Sequence, residues 1–134
     1  MLSSCLTDSF TLNNPNKEGH TFKGWSLTSN GAVKYQNGQT VKNLTTTNSS
    51  VVNLYAVWEA HTYEVKFNAN GASGTMQNQS YKYGEAKELS ENKFTKEGSE
   101  FKGWALTSEG PVKYQNKQNV TNLSTKDKDI VNLY

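Results

Sequence analysis

The sequence predicts a strand-dominated α+β protein with little helix, built from two tandem copies of one small module. Three observations lead there: a long internal repeat, period-two alternation of apolar residues, and turn dipeptides placed between the alternating runs.

The repeat is the strongest signal. Lys17-Glu18-Gly19 returns as Lys96-Glu97-Gly98, and Phe22-Lys23-Gly24-Trp25 as Phe101-Lys102-Gly103-Trp104. Val33-Lys34-Tyr35-Gln36-Asn37 returns as Val112-Lys113-Tyr114-Gln115-Asn116, and Val52-Asn53-Leu54-Tyr55 as Val131-Asn132-Leu133-Tyr134. Each pair is separated by 79 residues, and 26 of the 43 positions from 13 to 55 are identical at that offset. Residues 1–12 match 80–91 poorly. Residues 1–60 therefore read as a partial module lacking its first strand, and residues 61–134 as a nearly complete second module that stops short of an Ala-x-Trp end. The chain reads as a window on a longer array. In the partial copy, Leu54 and Trp25 are expected to be exposed.

Among the elements, residues 51–58 alternate as one long strand. Residues 63–68 place Tyr63, Val65 and Phe67 on one face and Glu64 and Lys66 on the other, the pattern of a half-buried strand. Residues 80–83 and 101–106 are further strand candidates. Asn30-Gly31, Asn37-Gly38 and Asn70-Gly71 mark turns, because Asn and Gly accept positive φ at low cost. A short helix or irregular crossover is expected within residues 87–96. Gly103, between Phe and Trp, suggests a bulge or a close backbone approach.

Leu, Ile, Val and Phe contribute 25 of 134 residues, just under one fifth; seven Tyr and three Trp raise the core-forming set to 35. A net charge of +2 does not oppose folding. The expected core is Val65, Phe67, Leu89, Phe101, Trp104, Leu106, Tyr114, Val120, Leu123, Val131 and Leu133. No apolar run is long enough to span a membrane as a helix. All 14 basic residues are scattered lysines, so neither the guanidinium fork nor the basic stripe of a nucleic-acid binder is present. Cys5 is the single cysteine, which excludes an intramolecular disulfide. Leu2-Ser3-Ser4-Cys5 resembles a bacterial lipobox, but no basic and apolar segment precedes it, and a chance match is the simpler reading.

Phe67-Asn68-Ala69-Asn70-Gly71, Gly74-Thr75-Met76, Tyr83-Gly84, Lys96-Glu97-Gly98, Phe101-Lys102-Gly103-Trp104, Asn43-Leu44-Thr45 and Leu54-Tyr55-Ala56-Val57-Trp58 together resemble the Listeria–Bacteroides repeat, or internalin B-repeat, family of bacterial surface proteins. Ala72, where a second Gly is usual, is a departure. The resemblance implies tandem β-grasp-like modules, an extracellular or cell-surface location, and a protein or cell-surface ligand as partner.

Residue chemistry gives no enzyme. His20 and His61 are not repeated, and no Ser-His-Asp order or phosphate loop is present. Asp127 and Asp129 flank Lys128 without the further oxygens calcium needs. Copy one carries Thr21, Asn30 and Leu12 opposite Glu100, Glu109 and Glu91, which makes these acids surface residues rather than a carboxylate pair. No catalytic, cofactor or metal residue is assigned. The expected function is a non-enzymatic spacer, adhesion or protein-interaction repeat. The alternative is a carbohydrate-binding module with stacking aromatics, and Tyr35, Tyr114 and Trp58 are the candidate contacts for a partner or glycan.

Overall fold

The computed structural model describes residues 2–3, 9–42, 44 and 51–134; Cys5, Asn43 and Thr45 lie outside them. The chain divides into two compact units, Met1–Glu59 and Ala60–Tyr134. Both are built from short strands, and no helix occurs among the described residues.

Unit 1 contains β1 (Leu2–Ser3), β2 (Ser9–Thr11), β3 (His20–Ser26), β4 (Thr40–Lys42), β5 (Val51–Val52) and β6 (Tyr55–Ala60). These pair as β1–β5, β2–β4 and β3–β6. The single strand expected over residues 51–58 is thus two, interrupted at Asn53 and Leu54 where the chain leaves one partner for another. Leu12, Val41 and Leu54 are buried, with Trp25, Tyr35, Leu44 and Val52 packed on them. Leu54 is therefore a core residue and Trp25 half-buried, against the expected exposure.

Unit 2 contains β7 (Thr62–Phe67), β8 (Gln79–Lys82), β9 (Ala86–Glu88), β10 (Trp104–Ala105), β11 (Val112–Tyr114), β12 (Asn119–Thr121) and β13 (Asp129–Leu133). Its centre is a three-stranded sheet in the order β13-β7-β8, with β13 parallel and β8 antiparallel to β7. The alternation read from the sequence decides the faces: Tyr63, Val65 and Phe67 are buried, while Thr62, Glu64 and Lys66 are exposed. The buried face joins Tyr81, Leu89, Trp104, Val120 and Leu133 in one core. β7 is also fastened at both ends. The Asn68 main-chain N–H and side-chain amide both donate to the Leu133 carbonyl (2.8 and 3.0 Å). At the other end the Thr62 N–H donates to Asp127 Oδ1 (3.1 Å), and the Lys128 N–H donates to the Thr62 carbonyl (2.6 Å).

Residues 87–96 form the irregular crossover rather than the helix, and two further expectations need correction. β9 takes Lys87 and Glu88, and side chains then satisfy the backbone that a helix would have used: Gln79 bonds the Glu88 carbonyl and the Ser90 N–H, and Asn92 caps the Phe94 N–H. Phe101 (39 % exposed) and Leu106 (52 %) lie outside the core, whereas Tyr63 and Tyr81 are inside it. The strand expected over residues 101–106 shrinks to β10, although its counterpart in unit 1, β3, is seven residues long and has β6 beside it.

Residues 2–3 and 9–12 also have counterparts, at a different offset. Leu12 donates to the Gln39 carbonyl as Leu89 does to Gln118, and both leucines are buried. Phe10 pairs with Val41 as Lys87 pairs with Val120. The offset here is 77, so Leu12 corresponds to Leu89 and not to Glu91. At this offset Leu2 and Ser3 correspond to Gln79 and Ser80 of β8. In unit 2, Gln79 faces Val65, which faces Val131, and Ser80 faces Glu64, which faces Ile130. In unit 1, Leu2 faces Val52 and Ser3 faces Val51, the counterparts of Val131 and Ile130. The two strands that flank β7 in unit 2 meet each other directly in unit 1, in the same register.

Gly103 adopts φ +142°, where a Cβ would lie 2.7 Å from the Tyr114 carbonyl oxygen and 2.6 Å from a Val112 methyl. The register shift between Trp104 and Ala105 is the bulge this approach creates. Gly24 repeats the geometry at φ +139° against Tyr35 and Val33. Gly103→Ala is expected to lower stability by about 2–4 kcal/mol, combining backbone strain and overpacking. Gly84→Ala, at φ +88° in open space, should cost only about 1 kcal/mol. Urea denaturation of the two variants checks the ranking.

Tyr63 and Tyr81 stack with ring centroids 5.4 Å apart. Burial, then the neighbouring Tyr63 and Glu85, push the Tyr81 pKa up to about 12. Burial likewise raises Tyr63, although the Leu123 N–H on its hydroxyl acts in the opposite direction. A tyrosine whose folded pKa lies above its unfolded value of 10.0 stabilises the fold fully below that pH. The contribution is lost as pH rises through about 12. A tyrosinate absorbance titration should show a late-ionising pair that titrates together with unfolding, and Tyr81→Phe should move the alkaline transition upward. Ionisation of all tyrosines before any loss of structure would contradict this.

Candidate interaction surface

The chemistry-bearing side chains of both units are engaged with the backbone. His20 Nδ1 lies 2.8 Å from the Glu18 carbonyl, and His61 Nδ1 lies 2.7 Å from the Thr125 carbonyl. Each ring therefore holds a turn of its own unit. Asp129 accepts from Ser124 Oγ (2.6 Å) and from the Ile130 N–H (2.9 Å), and these bonds hold its carboxyl below the usual range. Asp127 accepts from Thr62. The two carboxylates thus organise the loop that precedes β13. No group of three or more potential metal ligands occurs among the described residues. Asn70 (φ 50°) and Gly71 (φ 89°) form a tight turn closed by the Ala72 N–H on the Ala69 carbonyl, so the glycine-rich segment is a turn.

The three candidate contacts occupy different settings. Tyr35 is half-buried on the core of unit 1 and bridges Trp25; Tyr114 is half-buried on the core of unit 2 and pairs with Trp104. Trp58, also half-buried, makes an edge contact with Phe22 at 5.3 Å. Phe22 is itself 5.2 Å from Trp25, so a ladder of three rings closes unit 1 over β3 and β6. In unit 2, Trp104 is 1 % exposed and contacts Phe67, Phe94 and Phe101. Neither Trp25 nor Trp104 finds a protein acceptor for its indole N–H among the described residues. Ring burial outweighs that unmade bond in both copies.

Two surfaces stand out. A shallow groove of about 680 Å³ lies over Tyr63 and Tyr81 and is rimmed by charges of both signs, including Glu64, Lys82, Glu85 and Lys128. A second groove, of about 450 Å³, runs along residues 99–104 beside Phe94, Trp104 and Tyr134. Leu27 and Leu106 are counterparts, and both are half exposed; so are Val51 and Ile130. The sequence reading places Leu106 in the core on its hydrophobicity and does not single out the other three. Their recurrence in both copies was the available signal.

The profile of the Listeria-Bacteroides repeat domain matches residues 6–57 and 63–129. A protein of Evansella cellulosilytica described as "Putative Gly-rich membrane protein" is 37 % identical over 90 residues, an alignment covering 66 % of this chain and 10 % of that protein. The chain thus spans about a tenth of that relative's length. No solved structure matches. No helix among the described residues is long and apolar enough to cross a membrane. Two matched segments in tandem, covering most of the chain, make this protein a member of the Listeria-Bacteroides repeat family, which is typical of bacterial surface proteins.

Proposed function

We propose that the chain is a non-enzymatic tandem repeat, presented outside a bacterial cell, that acts as a spacer and as an adhesion or protein-interaction module. The observation that carries this reading is what the two copies share. They keep their packing residues, their strained glycines and their exposed apolar pairs Leu27/Leu106 and Val51/Ile130, while the histidines and most acids differ. Selection for chemistry would keep the opposite set. Each module is β-grasp-like in this reading, which the parallel β7–β13 pair with antiparallel β8 supports. Residues 1–59 act as a module short of the strand that β7 supplies to residues 60–134. The partner is a protein or another cell-surface ligand, with Tyr35, Tyr114 and Trp58 as contacts. The sugar-stacking alternative uses the same three aromatics and differs in its ligand alone.

Pulling the chain between its ends tests the spacer role. Two separate unfolding events are expected, with contour gains of about 200 Å for residues 1–59 and about 260 Å for residues 60–134. A single event releasing both lengths would argue against independent modules. Saturable binding on a glycan array, abolished by Tyr35→Ala or Tyr114→Ala, would replace the spacer reading with the carbohydrate one.

A further inference from the structure

Asparagine precedes glycine at Asn30-Gly31, Asn37-Gly38 and Asn70-Gly71, and the fold gives the pairs different settings. The Asn70 side-chain amide donates to the Ser108 carbonyl (2.8 Å), which holds that group in place. The Gly31 N–H donates to the Thr28 carbonyl (3.3 Å), and a Cβ on Gly31 would collide with Thr28 Oγ1 and Ser26 Oγ. Asn37 and Gly38 instead stand exposed in the middle of a turn over residues 36–39. The Gln39 N–H on the Gln36 carbonyl (3.2 Å) and the Gln36 N–H on Gln39 Oε1 (2.9 Å) close that turn. Gly38 takes φ +72°, with nothing within 4 Å of a Cβ built there. Neither the Asn37 side chain nor the Gly38 N–H has a partner among the described residues.

Unit 2 builds the same turn with other residues. Gln118 and Gln115 make the same two bonds (3.1 and 2.8 Å), but the third residue is Lys117, held at φ 62°. A left-handed backbone strains lysine and suits glycine. Asn116 is also engaged, since its Oδ1 accepts from the Asn92 N–H (2.9 Å).

We propose that Asn37 is a site of spontaneous deamidation, the first of the Asn-Gly pairs to react while the protein is folded. The Gly38 main-chain nitrogen gives up its proton and bonds to Asn37 Cγ. The Cγ–Nδ2 bond breaks, and the side-chain nitrogen leaves with that proton as ammonia. Water then opens the cyclic imide, its hydroxyl going to one imide carbonyl carbon and its proton to the Gly38 nitrogen. Opening at Cγ leaves aspartate; opening at the main-chain carbonyl leaves isoaspartate, with the chain rerouted through Cγ. Water is the only co-reactant. The attack needs a free main-chain nitrogen, a side chain free to rotate onto it, and no Cβ crowding the approach. Residues 36–39 supply all of these. Asn70 lacks the free side chain, Asn30 the free nitrogen, and Asn116 both a free side chain and a glycine after it. The Gln39 carbonyl accepts from the Leu12 N–H and Thr40 begins β4, so isoaspartate at residue 37 displaces the anchor of the β2–β4 pair.

The test holds the full chain in mildly alkaline buffer, with samples taken over time and cut after lysine. That cleavage separates residues 24–34, 35–42, 67–82 and 114–117 into different peptides, and mass spectrometry reads amide-to-acid conversion in each. The 35–42 peptide is expected to convert first, as two chromatographically distinct products, while 24–34 and 67–82 lag. In urea, where the turns are gone, the Asn-Gly pairs should converge on similar rates. Gly38→Lys should abolish conversion at residue 37; unit 2 carries lysine at this place, so the variant is expected to keep its far-UV spectrum. Conversion of 24–34 or 67–82 ahead of 35–42 in the folded chain would overturn the proposal. So would the same ranking in urea, or undiminished conversion in the Gly38→Lys chain.

Discussion

The fold of unit 2 depends on one strand. β7 pairs with β13 on one side and β8 on the other, and without it neither neighbour has a partner in that sheet. It also supplies Tyr63, Val65 and Phe67, three of the eight buried residues of the core. Each such side chain contributes about 1.5–3 kcal/mol on burial, so this single segment accounts for a sum comparable to the whole stability of an ordinary domain. The ends of β7 are fixed as well: Asn68 clamps it to Leu133, and Asp127 and Lys128 clamp Thr62. Asp129, whose carboxyl is lowered by its bonds from Ser124 and Ile130, begins β13 next to these clamps.

In unit 1 the strands that correspond to β8 and β13 pair with each other directly. Three of the eight core positions remain buried, as Leu12, Val41 and Leu54, and the tryptophan that is sealed in unit 2 becomes half-buried as Trp25. The flanking strands β1 and β5 close on each other, and the register they keep is the one β7 would have separated. Backbone pairing is thus preserved while much of the apolar burial is not. Unpaired edges are costly enough that the strands meet directly. At the other end the relation reverses: unit 1 has β6 over its Phe22–Trp25 rings, and unit 2 has Phe101 open to solvent. β6 and β7 are separated by His61 alone, so one short segment ends the first unit's sheet and begins the second's.

Much of this was legible in the residues, and the misses have physical causes. Alternation found β7 because its two faces differ sharply, and the 79-residue offset found the two copies. The first twelve residues were misaligned because unit 2 carries two extra residues after Leu89, and only Ser3 and Leu12 are identical at the true offset of 77. Residues 87–96 take the irregular crossover rather than the helix because Gln79 and Asn92 supply hydrogen bonds from outside the helical pattern, information that is long-range or conformational. Phe101 and Leu106 were assigned to the core on hydrophobicity, but an apolar residue is buried only if something covers it. Of the surface, the sequence named Trp58, Tyr35 and Tyr114; the groove along residues 99–104 emerged only from comparing how the two copies are covered.

As a member of a repeat family, the chain owes each unit to the strands that pair inside it. The central claim is that β7 sets the stability of the unit that contains it. Amide hydrogen exchange followed by peptide mass spectrometry tests this most directly. The account predicts the slowest exchange in Thr62–Phe67 and Asp129–Leu133, and faster exchange throughout residues 13–58. Equal or greater protection in residues 13–58 would contradict it, because the direct pairing of β1 with β5 would then be as effective as a sheet built on β7.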